Sequence, residues 1–202
     1  MGKRDITMQR WLKYRIGGRC NQVNYHNITH DDMLNGDGLR VVLWVSGCSH
    51  NCNGCQNPQT HDIYSGIPFD DKALHEIFDL LDKDYICGLT LSGGDPLHEN
   101  NLTEIYSLIN DVRKKYGDSK DIWLYSGYTL EEIKAPFENS DTYFKLLDET
   151  NEKEYVEKIT RFVVVDMCDV FVDGLFVEEL KDNNYQWAGS SNQRILRKGV
   201  DY

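Results

Sequence analysis

The sequence predicts an α/β protein in a single domain, built as an incomplete TIM-type barrel of parallel strands with outer helices. Three observations lead there. Apolar runs of strand length alternate with stretches whose apolar residues recur at helical spacing, the pattern of parallel strands joined by crossover helices. The chain has 202 residues, which suits one domain and falls short of the ~250 that eight complete strand–helix units need, so a partial barrel or an open sheet is expected. Its 40% hydrophobic and 27% charged residues match a chain with a buried core, so collagen, coiled coil and wholesale disorder are excluded.

Taken in order, residues 1–22 are basic and weakly patterned and read as an N-terminal extension to a domain over 23–202. Leu39 to Val45 is nearly continuous in apolar residues and follows the turn signal Asn35-Gly36-Asp37-Gly38, which makes it a buried strand. It ends at Ser46-Gly47. Asp70 to Leu81 places Ala73, Leu74, Ile77, Phe78 and Leu81 at helical spacing, Leu89-Thr90-Leu91 is a short strand, and Leu102, Ile105, Leu108, Ile109 and Val112 repeat the helical stripe. A third strand, Ile122 to Tyr125, precedes the capping box Thr129-Leu130-Glu131-Glu132, whose helix is cut short at Pro136. Residues 138–160 are charged and tolerant of helix; Phe162 to Val165 fits a strand or a helix end, and Val170 to Gly174 reads as a strand.

Lys plus Arg (22) against Asp plus Glu (33) gives a net charge of −11, which argues against duplex nucleic acid or an anionic membrane as partner. No apolar run approaches the ~20 residues that cross a bilayer, and the N-terminus lacks the apolar centre of a secretory signal, so a cytoplasmic protein is expected. Three of the six cysteines, Cys48, Cys52 and Cys55, fall within eight residues, and in a reducing compartment such a cluster binds metal rather than pairing. Cys20 stands apart, while Cys87 and Cys168 lie in apolar surroundings and read as core residues.

The three cysteines form a C-x3-C-x2-C run on the loop after a buried strand. Thiolates at this spacing can wrap one side of an iron–sulfur cubane and leave one iron open to an outside ligand. A structural zinc site completed by His50 or His61 is the alternative, although no second C-x2-C pair is present to complete it. Gly93-Gly94-Asp95-Pro96 follows a strand at the end where parallel α/β folds bind ligands. Its glycines would let a ligand approach the backbone and the Asp95 carboxylate suits an ammonium group; the bland reading is an ordinary turn. Ser126 offers a hydroxyl at the end of the third strand, Tyr125 and Tyr128 read as packing residues at the mouth, and His50 and His61 as loop histidines beside the thiols.

C-x3-C-x2-C is the defining motif of the radical S-adenosylmethionine enzymes, and the sequence resembles that family. Within it, the chain is similar to the activating proteins of the anaerobic (class III) ribonucleoside-triphosphate reductase. The likeness rests on Tyr25-His26-Asn27, Asn35 to Arg40, Ser46-Gly47-Cys48, Gly54-Cys55-Gln56-Asn57, Ser92 to Leu97, Tyr125-Ser126-Gly127-Tyr128, Val172-Asp173-Gly174 and Trp187 to Gln193, in that order. The resemblance implies a radical S-adenosylmethionine domain over 23–202, with a [4Fe-4S] cluster on the catalytic cysteines Cys48, Cys52 and Cys55 and its fourth iron chelated by the amino and carboxylate groups of S-adenosyl-L-methionine. Cofactor contacts are implied at Gly54, Cys55, Gln56, Gly93, Gly94, Asp95 and Ser126. Asp95 replaces the Glu of many members and so reaches less far, and Gly54 replaces an aromatic residue, leaving adenine to the backbone around Gly54 and Gln56. The implied activity is that of an oxidoreductase, a glycyl-radical activase. Its implied partners are the large subunit of the anaerobic reductase, met at the acidic surface and an open rim near Asp95, Ser126 and Asp173, and a flavodoxin-like or ferredoxin-like electron donor. The rival functions are an activase for another glycyl-radical enzyme such as pyruvate formate-lyase, and a non-catalytic zinc-binding interaction module. The Trp187 to Gln193 segment has no role that its residues reveal.

Overall fold

The computed structural model describes residues 23–138 and 151–202; the N-terminal extension, with Cys20, and residues 139–150 lie outside the described residues. Seven strands form one sheet: β1 (Asn24–Asp32), β2 (Arg40–Val45), β3 (Ile67–Pro68), β4 (Gly88–Gly93), β5 (Asp121–Tyr125), β6 (Val170–Asp173) and β7 (Arg194–Arg197), in the order β3-β1-β2-β4-β5-β6-β7. The four central strands, β2, β4, β5 and β6, run parallel. Three antiparallel pairings flank them, β1 with β2, β1 with β3, and β6 with β7. The α/β core that the sequence predicts is therefore present. The sheet does not close into a barrel: β3 and β7 are its two edges.

Helices α1 (Asp71–Leu81), α2 (Leu102–Tyr116), α3 (Leu130–Lys134) and α4 (Glu152–Asp166) connect the parallel strands. Three of the four start on a capping side chain. Asp70 caps α1 by accepting from the amides of Lys72 and Ala73, and Asn151 caps α4 by accepting from Glu154. Thr129 and Glu132 form the capping box of α3. The Phe162 to Val165 run, legible as strand or helix, is the last part of α4. Its β-branched residues stay helical because Val164 and Val165 drop into the core, and packing outweighs the small propensity penalty.

All four helices lie on one face of the sheet. Val41, Leu43, Leu89, Leu91, Ile122, Leu124 and Phe171 point to that side and form one core with Ile77, Ile109, Leu130 and Val164. Among the described residues no α-helix contributes to the core on the other face. Strand register stacks it in three layers: Arg40, Gly88 and Asp121; then Val42, Thr90, Trp123 and Val170; then Trp44, Ser92, Tyr125 and Val172.

The chain's own groups fill the two lower layers. Arg40 is wholly buried and donates to Asp121 Oδ1 at 2.7 Å, Thr90 Oγ1 at 2.7 Å and the carbonyl of Leu89 at 3.0 Å, with Trp123 under its guanidinium. Trp187 packs edge-on against Trp123 at 5.2 Å. Only the top layer, nearest the carboxyl ends of the parallel strands, is left as the floor of a cavity.

Candidate functional site

The cavity measures about 750 Å³ and is lined by Cys48, Cys52 and Cys55 on one side, Trp44, Ser92 and Tyr125 below, and the segment from Asn183 to Gly189 opposite. The cysteine loop leaves β2 through Gly47, whose φ of 96° admits no ordinary side chain. It is then anchored by the Gly47 amide on the Thr60 carbonyl (2.8 Å) and the Cys48 amide on the His61 carbonyl (3.0 Å). Asn51 and Gly54 take left-handed conformations (φ 52° and 67°), and the Cys55 amide closes a turn on the Cys52 carbonyl. The three cysteines are half-buried and unpaired. Burial pushes the Cys48 thiol up, against the opposing pull of the His50 and Asn51 amides, so a thiolate there gains from a cation beside it. The Asn57 amide donates to Cys55 Sγ at 3.4 Å.

Asp95 is the hub that holds this loop to the sheet. It is 2% exposed, and its two oxygens accept from His50 Nε2 (2.6 Å), Ser126 Oγ (2.9 Å), the Leu97 amide (2.7 Å) and the Gly127 amide (3.3 Å). A carboxylate only accepts, so His50 Nε2 carries its proton. The Tyr125-Ser126-Gly127-Tyr128 segment serves the same node: Gly127 leaves room for the His50 ring, where a Cβ would collide, and Tyr128 packs edge-on against that ring at 4.7 Å.

Asn101, which no sequence signal marked, completes the clamp. Its amide donates to the carbonyls of Ser46 (2.8 Å) and Asp95 (2.9 Å). It stands at the N-cap of α2 without capping it, so an ordinary helix-start residue is spent on a long-range contact.

Several sequence readings change. Gly93 and Gly94 border the cavity, but the space beside them belongs to neighbouring backbone: a Cβ would stand 2.8 Å from Val45 at Gly93 and 2.5 Å from the Gly47 carbonyl at Gly94. A Cβ at Gly54 would stand 2.5 Å from the Glu178 carboxyl carbon, whereas Gln56 faces the cavity. Asp95, Ser126 and Asp173 are buried, at 2%, 7% and 1% exposed, and offer no open rim to a partner. Asp173 is taken by Arg194 and by the Leu130 amide. Cys168 is a core residue as expected, but Cys87 is exposed.

Arg194 also grips Glu131 through both carboxylate oxygens, and that hydrogen bonding pulls the Glu131 carboxyl down from 4.5 to about 2. A depressed carboxylate stabilises the fold above its ordinary range and loses that contribution as pH falls from 4.5 toward 2. Because Glu131 is largely exposed, solvent screening holds the effect under about 1 kcal/mol. Urea midpoints measured across that window should fall less steeply for Glu131→Gln than for the parent.

The Trp187 to Gln193 segment proves to be the far wall of the cavity. Gln193 Oε1 accepts from the amides of Gly189 and Ser190, and its Nε2 donates to the Gly174 carbonyl. Trp187 itself is left-handed (φ 61°), a conformation rare for a bulky residue.

A three-thiol loop over the carboxyl ends of parallel strands defines the class, and it agrees with the match of residues 34–196 to the family model of the 4Fe-4S single cluster domain. More narrowly, the chain belongs to the family of anaerobic ribonucleoside-triphosphate reductase-activating proteins. It is 38% identical over 177 residues to the one of Escherichia coli (strain K12), covering 86% of this chain and 97% of the relative. It is 36% identical to that of Pasteurella multocida (strain Pm70), with 87% and 98% covered, and 37% identical to that of Enterobacteria phage T4, with 86% and 93% covered.

The residues fit a cubane better than a single ion. Among the described residues no three His, Cys, Asp or Glu side chains converge on one point as tetrahedral zinc requires. A cubane sets each thiolate on a different iron, so its ligands ring a cluster. Nε2 of His61, a residue that borders the cavity, is buried without a partner among the described residues, a polar atom suited to meet a cluster sulfur.

Proposed function

We propose that the protein is the activase of the anaerobic ribonucleoside-triphosphate reductase, working by radical S-adenosylmethionine chemistry within a domain over 23–202. The observation that carries this reading is the set of three unpaired thiols facing one cavity, on a loop clamped to the strand ends by Asp95. Cys48, Cys52 and Cys55 hold the [4Fe-4S] cluster. When bound, the cluster would supply the single electron, drawn from an external donor, for reductive cleavage of S-adenosylmethionine, the chemistry by which a glycyl radical would be raised on the reductase.

The chain's own residues bind, orient and exclude water. Gln56, Gly93 and Gly94 border the cavity next to the thiols and contact the cofactor. Asp95 and Ser126, whose polar atoms are engaged with one another, act by holding the cysteine loop and the end of β5 in place. The filled lower layers keep solvent from reaching the site from beneath. The electron donor is a flavodoxin-like or ferredoxin-like protein in the cytoplasm.

Anaerobic reconstitution followed by electron paramagnetic resonance tests the reading. The expected result is about four irons and four sulfides per chain and, with reductant, S-adenosylmethionine and the reductase, a glycyl-radical doublet that vanishes when the reductase glycine is replaced by alanine. One colourless zinc per chain, or a radical raised on pyruvate formate-lyase and not on the reductase, would overturn it.

A further inference from the structure

The cavity lining departs from the rest of this acidic chain. Among the described residues that border it, Asp95 is the only Asp, Glu, Lys or Arg, and its oxygens are already engaged. Among these described residues no Arg or Lys is present, the side chains best suited to hold a phosphate or a carboxylate. Amide side chains stand there instead. Asn183, Asn184 and Gln186 face the cavity within four positions, and none of the three side chains has a hydrogen-bond partner among the described residues. The left-handed Trp187 that follows is seated on Trp123 and fixes the segment against the opening.

Two further observations concern the same space. Met33 and Leu34 border the cavity and are 68% and 81% exposed, an apolar tip at its edge. In the floor, the Tyr125 hydroxyl is buried with no partner among the described residues. A side-chain amide donates and accepts at once, so it can pair with both the N–H and the C=O of a peptide unit. A neutral lining rich in such groups, with an apolar lip, matches an extended uncharged segment of polypeptide.

Building on the function proposed above, we infer that Asn183, Asn184 and Gln186 form a recognition strip for the backbone of the target polypeptide, which enters between them and the Met33–Leu34 tip. Selection of a protein target over a small anionic metabolite then resides in this wall and not in the thiol loop.

The test is capture of a labelled synthetic peptide spanning the radical-bearing glycine of the anaerobic reductase by the full reconstituted chain, read by fluorescence anisotropy. Asn184→Ala with Gln186→Ala removes two pairings on exposed positions and should weaken capture roughly 10- to 100-fold. Peptide with N-methylated backbone amides should bind the parent protein less well by a similar factor and should bind the double variant no worse than unmodified peptide does. The peptide arm uses unmodified protein, so it decides the matter even if the variant folds poorly. Equal capture by parent and variant, indifference to N-methylation, or displacement of the peptide by ATP would each overturn the inference. Capture requires no cofactor cleavage: a protein that binds the peptide as expected yet never forms 5′-deoxyadenosine refutes the proposed chemistry and leaves the recognition strip standing.

Discussion

Replacing Cys52 by alanine is expected to reduce formation of 5′-deoxyadenosine to background, with loss of cluster iron. Two thiolates grip only one edge of a cubane, and among the described residues no fourth cysteine borders the cavity. Cys168 is sealed in the core, where burial pushes its thiol far above the usual range. Cys87 precedes β4, at the opposite end of the parallel strands from the thiol loop, which follows β2. Six strand residues separate those ends, on the order of 20 Å. Cys87→Ser should therefore keep both iron and activity. Iron analysis and product assay under anaerobic conditions check both variants, and full activity in Cys52→Ala would remove Cys52 from the ligand set.

The second large effect is expected at Asp95. Alanine there strands the Ser126 hydroxyl, the His50 ring N–H and the amides of Leu97 and Gly127 without their acceptor. Each buried donor left unmade costs about 1–3 kcal/mol, and partial rearrangement should bring the total to about 3–5 kcal/mol. Asparagine keeps the shape but presents an NH2 group where one oxygen was accepting, so it should fall between alanine and the parent. Denaturant unfolding of the metal-free chain measures the stability loss. Iron retention measures whether the cysteine loop has come loose. A stable Asp95→Asn protein with normal iron would show that the node is dispensable for the loop, and would return Asp95 to a direct role on the cofactor.

How far the molecule could be read in advance depended on range. Local signals were sufficient for β2, α1, α2 and the Thr129 capping box, because an apolar run, a helical stripe or a cap lies within a few residues of itself. β3 has two residues and β7 reads Arg-Ile-Leu-Arg, so neither carries a strand pattern; each exists because a neighbouring strand offers it an edge. Those short strands make the outermost antiparallel pairings, and β1, nine residues long with no clean alternation of burial, makes the other against β2. In the site, the spacing of three cysteines and the Gly-Gly-Asp-Pro turn stood out. The work of Asn101 and His50 did not, since their partners lie 55 and 45 residues away. Asp173 reads as a rim residue in the sequence, whereas Arg194, 21 residues further on, occupies it in the fold.

The long reach of the Asp95 node bears on the order of maturation. Cys48 sits on a loop tied to Ser126 through His50 and Asp95, and to α2 through Asn101. These ties exist only after three parallel strands and their crossover helices have come together. In small zinc modules the metal drives an unfolded chain to fold; here the docking ground for the metal is a product of folding. Cluster insertion is then a late event in the life of the chain, carried out on a finished scaffold through the open mouth of the cavity. An iron-free pool of folded protein, waiting for assembly, is the natural intermediate.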